Sequence, residues 1–188
     1  MKPVALLLAP GAGGDRNHHT LVAIEQAVGL PSHRMDFAYR KAGRKAPDRV
    51  PVAVASVREE AAQLLDRAGL AASSLVLGGR SYGGRMCSLA VAQGLPAAGL
   101  VLLSYPLHPP GKPEQLRSDH FPHIHVPCLF LGGLSDPFGT PAEFDQAVAR
   151  LGGPVAQVWL KGGHEPARQD GVIARAVADW LASQFVVQ

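Results

Sequence analysis

The chain has 188 residues, of which 47% are hydrophobic and 18% charged, a balance that excludes a disordered or fibrous protein and suffices for a buried core. Eighteen basic against fifteen acidic side chains leave a net charge of +3, too mild to single out a nucleic-acid partner. Two cysteines are too few for a disulfide scaffold.

In chain order, Val4–Ala9 is a short apolar run after Met1-Lys2-Pro3. It is too short for a secretory signal and cleavage site and reads as a first strand. No run approaches a membrane span, so a cytoplasmic protein without a membrane partner is expected. Leu21, Ile24 and Val28 share a helical face, and Arg34–Ala38 is the second strand candidate. The basic residues Arg40, Lys41, Arg44, Lys45 and Arg49 follow, with no aromatic residue interleaved. They read as a solvated loop or as a rim that attracts anionic substrates, not as a nucleic-acid surface. Val54, Val57, Ala61, Leu64, Leu65 and Ala68 predict a second helix.

Ser74–Gly78 predicts the third strand, followed directly by a helix through Met86, Leu89 and Ala90. Gly99–Ser104 predicts the fourth strand. Tyr105 to Val126, rich in Pro and His, predicts a long loop with a short helix around Pro113–Arg117. Cys128–Gly132 predicts the fifth strand. Thr140-Pro141-Ala142-Glu143 is a capping box that opens a helix carrying Phe144, Ala147, Val148 and Leu151 on one face. Gln157–Lys161 predicts the sixth strand, and Val172, Ile173, Ala176, Val177, Trp180 and Leu181 mark the last helix. Apolar strands alternating with helices imply a mostly parallel sheet covered on both faces, in one α/β domain spanning residues 1–188. Cys87 and Cys128, inside a helix and a strand, are expected to be buried free thiols.

Between the third strand and its helix stands Gly79-Arg80-Ser81-Tyr82-Gly83, a G-x-S-x-G sequence. A serine flanked by glycines at a sharp strand-to-helix turn is a nucleophile elbow, which lifts the hydroxyl above the sheet edge. Ligands of open α/β sheets bind beyond the carboxyl ends of the strands, and the residues following those ends supply partners. Asp136 follows the fifth strand and His164 the sixth, giving the order Ser, Asp, His. His164 would serve as general base and Asp136 would hold its other ring nitrogen, with Glu165 and Asp119 as alternative third members. The backbone N–H groups of Tyr82 and Ala12 are the expected oxyanion donors. Gly13, Tyr105, His108 and Phe138 are expected to line the substrate site, from their places beside strand ends. His18-His19 and the His120, His123, His125 group lack a helical metal-binding pattern, so neither a metal nor another cofactor is expected.

Two other readings compete. Gly11-Ala12-Gly13 after the first strand, with Asp36 near the end of the second, suggests dinucleotide binding, although Arg16 stands where the third glycine belongs. A non-catalytic interaction module on the same scaffold is the other, since fold alone does not establish activity.

Several segments together resemble the small single-domain bacterial α/β hydrolases described as dienelactone-hydrolase-like. Relatives of that family include the hydrolase-like domain of a eukaryotic chromatin-associated complex and a testis-expressed protein. The segments are Leu8-Ala9-Pro10-Gly11-Ala12-Gly13-Gly14, Gly78-Gly79-Arg80-Ser81-Tyr82-Gly83-Gly84-Arg85, Tyr105-Pro106-Leu107-His108-Pro109-Pro110-Gly111-Lys112-Pro113, Ser135-Asp136-Pro137-Phe138-Gly139 and Gly163-His164. The resemblance implies a minimal α/β-hydrolase fold, with a six-stranded sheet of order 2-1-3-4-5-6 and no lid domain. It also implies Ser81, Asp136 and His164 as the triad of a carboxylesterase-like enzyme acting on a small-molecule ester or thioester. The chain departs from dienelactone hydrolase proper, whose nucleophile is a cysteine, in carrying Ser81.

Overall fold

In the computed structural model, which describes residues 4–185, six strands form one parallel sheet in the order β2-β1-β3-β4-β5-β6. The strands are β1 (Ala5–Ala9), β2 (Ser32–Arg34), β3 (Leu75–Arg80), β4 (Gly99–Leu103), β5 (Cys128–Gly133) and β6 (Val155–Leu160). The helices are α1 (His19–Val28), α2 (Ala38–Lys41), α3 (Val50–Ala68), α4 (Tyr82–Ala92), α5 (Pro141–Val148) and α6 (Asp170–Gln184). The strand order is the one the family resemblance implies.

The apolar runs are continuous because both faces of the sheet are covered. Ala5, Leu7 and Ala9 of β1 face one side with Leu75, Leu77, Leu100, Leu102, Cys128 and Phe130. There they pack beneath Val57, Ala61, Met86, Ala90 and Phe144 of α3, α4 and α5. The alternate residues Leu6, Leu8, Val76, Val101, Leu129 and Leu131 pack beneath Leu21, Ile24, Ile173, Val177 and Leu181 of α1 and α6. Fully burying one such leucine is worth about 1.5–3 kcal/mol, so two apolar faces fix the register of each central strand. Among the described residues, no helix is long and apolar enough to cross a membrane.

Two local expectations differ from the structure. The second strand pairs over Ser32–Arg34, earlier than Arg34–Ala38. Met35, Phe37 and Tyr39 are buried, but Asp36 turns away to accept from Arg16, and the chain folds into the single turn of α2. No helix forms around Pro113–Arg117; that stretch is a series of turns, and a short 3-10 turn lies later, at Phe121–His123. The segment is held by backbone bonds within itself, among them Arg117 N–H to Leu107 O at 2.7 Å, and by His108 N–H donating to Phe138 O at 3.1 Å in the loop after β5.

Candidate active site

The carboxyl ends of β1, β3, β5 and β6 bring the singled-out loops together. Ser81, directly after β3, has φ 50° and ψ −115°, a conformation strained for a residue with a side chain. Crowding enforces the turn. A Cβ on Gly79 would lie 2.7 Å from backbone atoms of Gly83 and Gly84 and 2.8 Å from Ala9 O, and one on Gly83 would run into the carbonyls of Ala9 and Pro10. The Ser81 N–H donates to Leu103 O at 2.8 Å, and its carbonyl accepts from Arg85 N. Both backbone groups are thereby satisfied.

His164 follows β6 and Asp136 follows β5. The His164 ring lies between them, with Nε2 2.8 Å from Ser81 Oγ and Nδ1 2.8 Å from Asp136 Oδ2. A carboxylate only accepts, so Nδ1 carries the proton and the Nε2 lone pair faces the serine hydroxyl. Asp136 is buried, its second oxygen accepting from Phe138 N–H at 2.9 Å. The Phe138 ring packs on the imidazole, with centroids 4.2 Å apart. Each degree of freedom of the histidine thus has a partner.

Glu165 points elsewhere. Its carboxylate lies 3.3 Å from Arg80, 3.0 Å from His18 and 3.3 Å from His19. Arg80 also donates to the carbonyl of His164 at 3.3 Å. Burial and the positive charge of Arg80 push the His18 imidazole below its usual range. The ligating atoms of His18, His19 and Glu165 fall within 4.8 Å of one another, a grouping invisible in the sequence because Glu165 comes from the other end of the chain. Arg80 already supplies a cation there. Asp119 lies far out in solvent, 3.9 Å from Arg150. Neither rival acid stands at the imidazole.

Ala12, Ser81, Tyr82 and Phe138 share one cleft with Arg85, Pro106 and Arg117, of about 290 Å³. That is roughly the space of ten water molecules and sits at the small end of ligand sites. Tyr82 begins α4, so its N–H has no intrahelical acceptor. The peptide linking Gly11 and Ala12 is oriented by Gly14, whose N–H donates to Gly11 O at 3.1 Å, while Tyr39 Oη donates to Ala12 O at 2.7 Å.

The remaining expected lining residues are not in the cleft. Gly13 is exposed beside it. Tyr105 is 2% exposed and sits in the core, its hydroxyl donating to Arg117 O at 2.7 Å. His108 is buried beside Glu143, with Nδ1 2.8 Å from Pro109 O. Both belong to the segment after β4, which folds back on itself where Arg117 N–H donates to Leu107 O, a path that strand-end placement could not reveal. Arg85 and Arg117 were missed; the only sequence signal was that Arg85 stands one helical turn beyond Ser81. The ribose-binding role weighed for Asp36 is not available, since both carboxylate oxygens accept from Arg16 at 2.8 Å. Three of the five basic residues after β2 pair with acids: Arg40 with Asp15, Lys41 with Glu60 and Arg44 with Asp48. Cys87 and Cys128 are both buried free thiols, each donating to a backbone carbonyl, and burial pushes both up to about 12.

The model of a family described as alpha/beta hydrolase domain matches residues 2–185. The solved dienelactone hydrolase from Anabaena variabilis is similar over 98% of this chain and 88% of its own, at 18% identity and a TM-score of 0.73. An alpha-beta serine hydrolase homologue from Coxiella burnetii is similar over 96% and 89%, at 17% identity and a TM-score of 0.76. Est1E from Butyrivibrio proteoclasticus is similar over 97% and 88%, at 14% identity and a TM-score of 0.75. At such identities the likeness is one of fold.

Proposed function

Because the chain belongs to the alpha/beta hydrolase domain family, we propose that it is a serine esterase that cleaves small acyl esters or thioesters through an acyl-enzyme. The observation that carries this reading is the His164 ring held at 2.8 Å from both Ser81 Oγ and Asp136 Oδ2. A serine hydroxyl is a weak nucleophile until a base takes its proton. His164 Nε2 removes that proton as Oγ attacks the acyl carbon, and the buried Asp136 carboxylate stabilises the imidazolium. The carbonyl oxygen gains the negative charge, and the free N–H groups of Tyr82 and Ala12 are the donors for it. Collapse of the tetrahedral adduct breaks the bond to the leaving alcohol or thiol, which takes the proton from His164. Water then enters and gives its proton to the same nitrogen as it attacks the acyl carbon. The bond to Ser81 Oγ breaks as that oxygen takes the proton back from His164, releasing the acid.

The substrate is a small molecule in a cleft of this size, with no nucleic-acid or membrane partner. Two buried free thiols suit a reducing compartment, so we place the protein in the cytoplasm. The test is labelling by a fluorophosphonate, read by mass spectrometry, with p-nitrophenyl butyrate hydrolysis measured in parallel. A single adduct on Ser81 is expected. Failure to label, with no ester turned over, would return the reading to a non-catalytic interaction module.

A further inference from the structure

Among the described residues, no carboxylate lies at ion-pair distance from Arg85 or Arg117. Arg16, Arg34, Arg40, Arg44, Arg80 and Arg150 each have a carboxylate at ion-pair distance. Among the described residues Arg85 and Arg117 have none, as is also true of Arg49, Arg58, Arg67, Arg168 and Arg175, but of these Arg85 and Arg117 line the cleft that holds Ser81. Arg85 is half-buried, and its Nε is buried without a hydrogen-bond partner. Arg117 is also half-buried, and its backbone is fixed on both sides. Its N–H donates to Leu107 O and its carbonyl accepts from Tyr105 Oη, both at 2.7 Å.

The positive potential of the pair registers on its neighbours. Burial, and then Arg85, push the Arg117 guanidinium below its usual range. Burial and Arg85 likewise push His120 down to about 4. Two like charges partly withdrawn from water, with a buried donor unmatched, are costly unless an anion joins them. The elbow does not need them: the serine, histidine and aspartate are satisfied among themselves and with Phe138.

We propose that Arg85 and Arg117 form an anion subsite beside Ser81, so that the ester taken by this cleft carries an oxyanion group, a carboxylate or a phosphoryl. The proposal rests on Ser81 being the nucleophile and adds the substrate class. A guanidinium fork matches the oxygens of either group in pairs. The pair binds the substrate through a group remote from the scissile bond and so orients the acyl carbon over Ser81. The basic residues after β2 do not fill this role, since most of their charge is already neutralised by local acids.

The test compares three p-nitrophenyl esters of similar chain length: the neutral valerate, the monoester of glutarate, and the ester of 4-phosphonobutyrate. The anionic esters are expected to exceed valerate in kcat/KM by roughly tenfold or more, an advantage that falls with added salt. The larger of the two preferences identifies the group. Arg117→Gln and Arg85→Gln are each expected to lower the anionic-to-neutral ratio by roughly tenfold, and Arg117→Lys to restore part of it. Calorimetry of glutarate and of 4-phosphonobutyrate on the Ser81→Ala protein reads the subsite without chemistry. A ratio near one, with Ser81 still labelled by the fluorophosphonate, overturns the subsite and leaves the esterase reading standing. No labelling and no turnover, with an acid still bound and its binding lost in Arg117→Gln, overturns the esterase reading and keeps the subsite. If neither acid binds and no anionic preference appears, or if binding survives both glutamine variants, the proposal fails.

Discussion

Ser81 is held at a positive φ that a side chain tolerates poorly, and the residues around it give that strain a use. Its hydroxyl meets His164 Nε2 at 2.8 Å, while the carboxylate of Asp136 fixes the opposite nitrogen. Replacing Ser81 by Ala removes one oxygen and leaves the turn intact. Ester hydrolysis is expected to drop by roughly a thousand-fold or more with an unchanged circular dichroism spectrum. Asp136→Asn keeps the shape but offers an N–H where the ring needs an acceptor, favouring the wrong tautomer. It is expected to cost on the order of 10³–10⁴ in kcat. Glu165→Gln loses its pairings with Arg80 and His18, neither of which touches the imidazole ring, so its kcat is expected to stay far above that of Asp136→Asn. Steady-state kinetics of the three variants check the order, and a Glu165 variant as damaged as the Asp136 one would reassign the acid.

At the level of elements, the elbow works because β3 and α4 approach so closely that no side chain fits at their junction. Gly83→Ala must displace the end of β1 from α4. It is expected to lose about 3 kcal/mol or more of stability, read from urea denaturation, and to lose fluorophosphonate labelling with it. By contrast Thr140→Ala, which removes the exposed capping-box hydroxyl that donates to the Glu143 carboxylate at 2.7 Å, is expected to cost only about 1 kcal/mol. The contrast between these two positions also explains what was legible in the sequence. Apolar runs, the glycine-flanked serine and the order of polar residues after strand ends are local patterns, and they single out Ser81, Asp136 and His164, which the fold links through hydrogen bonds to the His164 ring. The second strand slipped because buried Met35, Phe37 and Tyr39 alternate as a strand would, while only Ser32–Arg34 pairs with β1. Tyr105 and His108 went astray because a loop that doubles back carries no periodicity. The Arg85–Arg117 juxtaposition depends on which acids are absent nearby, and only the fold decides that.

For the molecule as a whole, acid tolerance is set by half-buried imidazoles before carboxylates matter. His120 Nε2 lies 2.8 Å from Ser88 Oγ, whose own proton goes to the Arg85 carbonyl, so Nε2 donates to Ser88. Burial, and then the charge of Arg85, hold the imidazole neutral down to about 4, well below the ordinary imidazole value of about 6.5. As pH falls from about 6.5 toward 4 the unfolded chain takes up a proton that the folded chain refuses, and stability declines across that window. His18, also lowered, acts in the same direction. Glu60, Glu143, Glu165 and Asp170, held below their ordinary values, keep their contribution until the pH drops through their folded values. Urea midpoints measured between pH 7 and 4.5 are expected to fall less steeply for His120→Gln than for the natural chain, and identical slopes would remove His120 from the account. The buried cysteines turn this behaviour into something that can be watched. With thiols held near 12 and no solvent path to sulfur, the folded protein offers maleimide or iodoacetamide almost no thiolate. Alkylation of Cys87 or Cys128 therefore waits on opening of the sheet and its covering helices. Reaction at those two sulfurs times global breathing, while a phosphonate on Ser81 counts intact sites, and the two chemistries do not interfere.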